Sequence, residues 1–203
     1  SAASDVYKRQ RKRYELDLQP NQLKPEFLKL LTLVKRNQYK NLIEVGTGRG
    51  GTAYLLGIVG GMGAVVVTVD IDMPPWKSML LKKLARPGQK MVPIRGHSRE
   101  ARTIQSVRRA LRGGLADMAF IDGDHSYEGV RGDFRVYFKL VKDDGALAFH
   151  DIVPGGFKSG GVPVFWREVR SEGKYVTLEF VRQGMREGGF GIGVLFKSRS
   201  EVN

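Results

Sequence analysis

Apolar and polar positions along this chain switch repeatedly between a helical and an extended period. Phe27, Leu28, Leu31 and Val34 share one side of a helix predicted over 25–37, with Pro25 in its first turn. Asn41-Leu42-Ile43-Glu44-Val45 is a short strand that runs into Gly46-Thr47-Gly48-Arg49-Gly50-Gly51, and Thr52 to Val59 forms the next helix. Ala64 to Val69 is a β-branched run closed by Asp70, and a helix opened by Pro74-Pro75 continues to Ala85. Met91 to Arg95 is a third strand, closed by Gly96-His97-Ser98. Ser98 is placed to cap a helix that ends near Arg112 at Gly113-Gly114. Met118 to Ile121 is the fourth strand. Tyr127, Val130, Phe134, Tyr137 and Val141 then step by three and four, an amphipathic helix that leads to a fifth strand over Ala146 to Phe149. A glycine-rich loop from Val153 to Gly161 precedes a short helix, Val162 to Arg170, whose Phe165 and Trp166 belong in a core. Two last strands, Tyr175 to Val181 and Phe190 to Phe196, form a hairpin.

Five rounds of strand and helix predict the α/β class: a doubly wound, mostly parallel seven-stranded sheet that closes with a C-terminal antiparallel hairpin. In such sheets ligands bind beyond the carboxyl ends of the strands. Two strand ends stand out. Phe120-Ile121-Asp122-Gly123-Asp124-His125 and, 29 residues later, Phe149-His150-Asp151 both run from apolar residues straight into acids beside imidazoles. If those two tips meet, Asp122, His125, His150 and Asp151 surround one point. Asp124 has a plainer use, as a cap for the helix that follows.

The chain has 203 residues, 41% of them hydrophobic, enough for one well-buried domain. No apolar run approaches the ~20 residues that span a bilayer, and the absence of cysteine fits a reducing, cytoplasmic setting. Residues 1–13 stand apart from the domain expected over 14–203. Ser1 to Gln10 lacks apolar periodicity and resembles translated sequencing-adapter sequence at the ends of metagenomic gene models, so it is read as disordered or non-native. Charge changes the picture in one respect. With 34 Lys+Arg against 21 Asp+Glu the net charge is +13, which keeps RNA open as a partner through the face carrying Arg99, Arg102 and Arg109. A solvated surface is the plainer reading. Oligomeric state, a homo-oligomer included, leaves no mark in the sequence.

The glycine turn between strand one and the helix after it satisfies G-x-G-x-x-G, with Asp70 placed to bind a ribose. A nicotinamide or flavin dinucleotide and S-adenosylmethionine both suit such a turn. Glu44 favours the second, because a carboxylate there opposes a pyrophosphate and suits a cationic amine and sulfonium. Glu44-Val45-Gly46-Thr47-Gly48-Arg49-Gly50-Gly51 resembles the first motif of class I S-adenosylmethionine-dependent methyltransferases. Ile121-Asp122-Gly123-Asp124-His125-Ser126-Tyr127-Glu128, Phe149-His150-Asp151-Ile152 and Gly161-Val162-Pro163-Val164-Phe165-Trp166 resemble the branch with cephalosporin-hydroxylase-like proteins and macrolide or rhamnosyl sugar O-methyltransferases. The resemblance covers 25–197 and implies a Rossmann-like methyltransferase fold that transfers a methyl group to a hydroxyl of a small molecule, sugar or secondary metabolite. It places Gly46, Thr47 and Gly48 under the methionine moiety with Glu44 near its amine. Asp70 and Ile71 fall at the ribose, Gly96, His97 and Ser98 along the adenine, and Asp122 between cofactor and metal. It also makes His125 the general base and puts a divalent cation on Asp122, His150 and Asp151. The branch holds Mg²⁺ there, so Mg²⁺ or Mn²⁺ is expected; because His150 stands where that branch has an acid, and imidazole suits Mn²⁺, Fe²⁺ or Zn²⁺ better than Mg²⁺, Fe²⁺ and Zn²⁺ stay open too.

Overall fold

The computed structural model describes residues 18, 20–155, 159–182 and 188–197. The expectation for residues 1–13 therefore lies outside the described residues, as does the middle of the glycine-rich loop at 156–158. The elements in order are α1 (Lys24–Arg36), β1 (Asn41–Val45), α2 (Gly51–Gly60), β2 (Val65–Asp70), α3 (Pro75–Leu84), β3 (Lys90–Arg95) and α4 (Ala101–Ala110). Then follow β4 (Ala116–Ile121), α5 (Tyr127–Phe138), β5 (Val141–His150), α6 (Val162–Ser171), β6 (Val176–Phe180) and β7 (Ile192–Phe196). They build one seven-stranded sheet in the order β3-β2-β1-β4-β5-β7-β6. The first five strands are parallel; β7 is antiparallel to both β5 and β6. The α/β, doubly wound, mostly parallel sheet with its C-terminal hairpin is the one the hydrophobic pattern predicts.

Alternation along β1 sends neighbouring side chains to opposite faces. Ile43 and Val45 join a core with Ile121, Phe149, Phe165 and Trp166, while Leu42 joins Phe27, Leu30, Phe120 and Val194 on the other face. Both faces of the inner strands are covered by helices, which is why these strands read as continuous apolar runs. Phe165 and Trp166 are core residues, as expected. Gly193 on β7 has a specific reason: a Cβ there would lie 2.5 Å from the Trp166 indole.

The order in which strands are added reverses between β1 and β4, and this switch opens a crevice beyond their carboxyl ends. Register fixes what faces it. Val45 pairs with Ile121, and Ile121 with Phe149, so Gly46, Asp122 and His150 stand side by side at the three tips. The Asp122 N–H donates to Val45 O at 2.8 Å and the Gly46 N–H to Val69 O at 2.9 Å, which ties the glycine turn to both neighbours.

Three local expectations change. Strand β5 runs from Val141 rather than Ala146, because an irregularity in its pairing between Ala116 and Met118 absorbs the turn. Helix α4 begins at Ala101 with Glu100 as its cap residue, so Ser98 caps nothing. Ser126, not Asp124, caps α5, its hydroxyl accepting from the Gly129 N–H; Asp124 sits one turn outside and accepts from the Ser126 N–H. Among the described residues no helix is long and apolar enough to cross a membrane.

Candidate active site

Two cavities open at the crevice and meet over the glycine turn. The first, about 450 Å³, is lined by the turn together with Asp122, His125, His150, Asp151 and Phe190. The second, about 460 Å³, runs along Val69, Asp70 and Ile71 to Gly96, His97 and Ser98, and returns by Gly123 and Asp124. Gly46, Gly48 and Asp122 line both. A ligand crossing from one cavity to the other passes directly over them.

Around the first cavity, Asp122 collects three partners. His125 Nε2 lies 3.3 Å and His150 Nδ1 3.1 Å from its Oδ1, and Gln22 Nε2 donates to its Oδ2 at 2.6 Å. Burial pushes the Asp122 carboxyl up, but the His150 charge and the two imidazole contacts outweigh it, holding the group below its ordinary value. His150 shows the counterpart. Burial pulls it down, yet Asp122 and then Asp151 raise it to about 10. Both shifts run in the direction of an ion pair between Asp122 and His150.

Donor atoms of Asp122, His125 and Asp151 lie within 4.8 Å of one another, close enough to share one cation. His150 stands outside that set: its Nδ1 is spent on Asp122, with Asp151 Oδ2 3.4 Å away, and its buried Nε2 has no hydrogen-bond partner. His125 instead bridges the acids, with Nδ1 3.4 Å from Asp151 Oδ2. Its position follows from the chain behind it. The His125 carbonyl accepts from the Gly161 N–H at 2.8 Å, and a Cβ on Gly160 would lie 2.3 Å from that carbonyl, so only glycine lets the two loops touch.

On the turn itself Asp70 accepts from the Gly48 N–H at 3.0 Å and from the Asp72 N–H at 2.8 Å, holding the loop against the β2 tip. Glu44 is placed differently from the expectation. Its carboxyl is fully buried on the α1–α2 side of the sheet and lines neither cavity. It reaches the turn at one remove: Thr68 donates to Glu44 Oε2, and the Thr68 and Thr47 hydroxyls are hydrogen-bonded to each other. Burial pushes the Glu44 carboxyl well up, and the charges of Asp122 and Asp70 add to the effect against the Thr68 hydrogen bond.

The comparisons bear on this geometry. A family model described as a methyltransferase domain matches residues 43–152, a little over half of the chain and the whole segment from β1 to the tip of β5. The chain belongs to the methyltransferase-domain family. Solved methyltransferases share its fold. The O-methyltransferase TomG from Streptomyces achromogenes, involved in tomaymycin synthesis and solved with SAM, superposes with a TM-score of 0.64 at 16% identity, covering 98% of this chain and 90% of that one. The O-methyltransferase from Bacillus cereus, in complex with SAH, gives 0.64 at 17% identity over 96% and 90%. SAH-bound PaMTH1 from Podospora anserina gives 0.62 at 13% over 98% and 88%. Among curated proteins, the uncharacterized protein R132 of Acanthamoeba polyphaga mimivirus is 49% identical over 35 residues, 17% of this chain and 16% of that protein's length.

In this methyltransferase-domain protein the crevice gathers most of the residues singled out from the sequence. Gly46, Thr47, Gly48, Asp70, Ile71, Gly96, His97, Ser98, Asp122, His125, His150 and Asp151 all line one cavity or the other, and Glu44 does not. Several contributors carried no sequence signal. Gln22 precedes α1 in a stretch without periodicity, yet it is buried against Asp122 and its Oε1 accepts from the Thr52 hydroxyl at 2.8 Å. Asn21 and Phe190 complete the first cavity. Asp133, on the buried side of α5, accepts from the Ser98 hydroxyl at 2.6 Å. Burial raises its carboxyl, while the Ser98 hydrogen bond and the Arg99 charge lower it. Arg99 leaves the solvated face assigned to it: its Nη1 donates to the Gly129 carbonyl at 2.8 Å.

Proposed function

We propose that this protein is an S-adenosylmethionine-dependent O-methyltransferase, assisted by a divalent cation, acting on a hydroxyl of a small molecule, sugar or secondary metabolite. The observation that carries the reading is the meeting of the two cavities at Gly46, Gly48 and Asp122. One is long enough and polar enough at Asp70 and Ser98 for an adenosine, and the other holds three clustered cation donors. The solved relatives that carry SAM or SAH support the cofactor, and the motifs at Asp122 and at His150-Asp151 support the sugar O-methyltransferase branch.

When bound, S-adenosylmethionine supplies an electrophilic methyl group, and a cation on the donor set lowers the pKa of an acceptor hydroxyl. The residues do the rest. Gly46 and Gly48 let the cofactor lie against bare backbone, and Asp70 offers its carboxylate to the ribose. Asp122, Asp151 and one nitrogen of His125 would hold the cation. This mixed oxygen and nitrogen set fits Mn²⁺, Fe²⁺ or Zn²⁺ better than Mg²⁺. A cation on one ring nitrogen leaves the proton on the other, so His125 would take up the acceptor proton only while it does not ligate; its side chain is the most exposed of the three at 33%. His150 stays behind Asp122 and orients it. RNA remains the second reading, favoured by a groove beside the adenosine cavity lined by Arg95, Arg102 and Arg109. Its charge is reduced by Glu100, which pairs with Arg102 at 2.6 Å.

Calorimetric titration with S-adenosylmethionine and S-adenosylhomocysteine should give one binding event per chain. Elemental analysis should find one divalent ion, lost from Asp151→Ala. Absence of heat with either nucleoside contradicts the cofactor assignment.

A further inference from the structure

The segment from His97 to Arg99 is a turn, closed by the Glu100 N–H on the His97 carbonyl at 3.1 Å, and α5 holds it. The buried Tyr137 hydroxyl donates to the Ser98 carbonyl at 3.0 Å, Arg99 Nη1 donates to the Gly129 carbonyl, and the Ser98 hydroxyl donates to Asp133 Oδ1 at 2.6 Å. Asp133 is fully buried, and its second oxygen, Oδ2, has no partner. That oxygen lies beneath Gly123, 3.7 Å from where a Cβ on Gly123 would stand, so the carboxylate sits directly under the lining of the adenosine cavity.

A serine hydroxyl has one proton and two lone pairs. In this structure the proton is committed to Asp133, so what Ser98 shows the cavity is an acceptor. With its carbonyl and hydroxyl both held from α5, Ser98 cannot turn to reverse that polarity without breaking a buried contact.

We propose that Asp133 is a positioning residue for base specificity. By accepting the hydrogen bond that the Ser98 hydroxyl donates, it leaves Ser98 Oγ to act toward the cavity as an acceptor, which selects a purine bearing a 6-amino donor and rejects one bearing a 6-keto acceptor. The inference rests on the cofactor reading above and deepens it. An amino group satisfies Ser98, whereas a carbonyl oxygen placed there faces another acceptor and leaves both unpaired, the arrangement by which polar sites discriminate most strongly.

The test compares S-adenosylhomocysteine with S-inosylhomocysteine, its 6-keto analogue, by calorimetry on the full chain. Wild type should bind the adenosyl compound about tenfold or more tightly than the inosyl one. Asp133→Leu, which removes the acceptor and frees the Ser98 proton, and Ser98→Ala, which removes the hydroxyl, should each cut that ratio at least about fivefold. A structural role alone weakens both ligands together and leaves the ratio fixed. Should Asp133→Leu not fold, the Ser98→Ala ratio decides. Wild type binding both compounds equally, or ratios unchanged in the variants, overturns the inference while the cofactor reading stands. Wild type binding neither compound overturns both.

Discussion

Replacing Asp122 with alanine is expected to cost the metal-free protein about 3–5 kcal/mol, the usual consequence of removing one member of a buried ion pair. His150 is 4% exposed, and Asp122 is its nearest acid. Without that carboxylate a buried imidazolium keeps only the longer contact to Asp151, and the Gln22 amide loses its 2.6 Å acceptor as well. The same change should abolish specific divalent-cation binding, because Asp122 supplies one of the three clustered donors. Chemical denaturation in the presence of a chelator measures the first effect. A second substitution separates charge from packing. His150 lies among aromatic rings, with Phe120 and Phe190 centroids 6.3 and 6.1 Å away, so His150→Phe removes the cation at modest steric cost. The double variant should be more stable than Asp122→Ala alone. A loss under about 1 kcal/mol for Asp122→Ala, or a double variant that is less stable still, contradicts the ion-pair account.

Gly46→Ala should be nearly as damaging, and for a backbone reason. A Cβ at this position would stand 2.0 Å from the Asp122 carbonyl oxygen and 2.5 Å from its carbon, at a φ of +90° that side-chain residues rarely adopt. Neither atom belongs to a rotatable side chain, so relief requires the β1 and β4 tips to separate. That separation would break the N–H contacts which hold the turn and widen the point where the two cavities join. We expect roughly 3 kcal/mol or more of destabilisation and no measurable heat with S-adenosylhomocysteine. Gly61→Ala is the control. Its φ is +76° and its ψ −162°, yet nothing lies within 4 Å of the new methyl, so it should show only the strain of that glycine-favouring backbone conformation and keep its ligand binding. Equal losses in the two variants would mean that backbone strain, and not the close approach of β1 to β4, explains the first.

The sheet was legible because its inner strands are apolar on both faces and end abruptly. Leu42 to Val45, Ala64 to Val69 and Met118 to Ile121 have few other places to go in a chain of this size, and Asp70 and Asp122 follow at their tips. Side-chain direction was less legible. The motif points Glu44 at the ligand, but the strand's alternation turns it toward α1 and α2, where Thr68 holds it and Thr47 relays its influence. Which of His125 and His150 joins Asp122 and Asp151 in one cluster of donor atoms depends on where two loops touch, at Gly160 and Gly161, and no local pattern records such contact. Ser98 had the residue type of a cap and the position of one, but Asp133, 35 residues on, offered its hydroxyl a buried carboxylate. Gln22 had no signal at all. Short-range periodicity writes the elements and their order, whereas long-range side-chain partners decide who stands in the site.

The protein's three histidines allow the central claim to be tested in one titration, since His97 lines the second cavity while His125 and His150 line the first. With labelled imidazoles followed by NMR, S-adenosylhomocysteine should shift His97, and Mn²⁺ added next should broaden His125 and His150 far more than His97. Three resonances that respond alike to both ligands, or not at all, would show that the tips of β1, β4 and β5 do not form one pocket for a nucleoside and a cation.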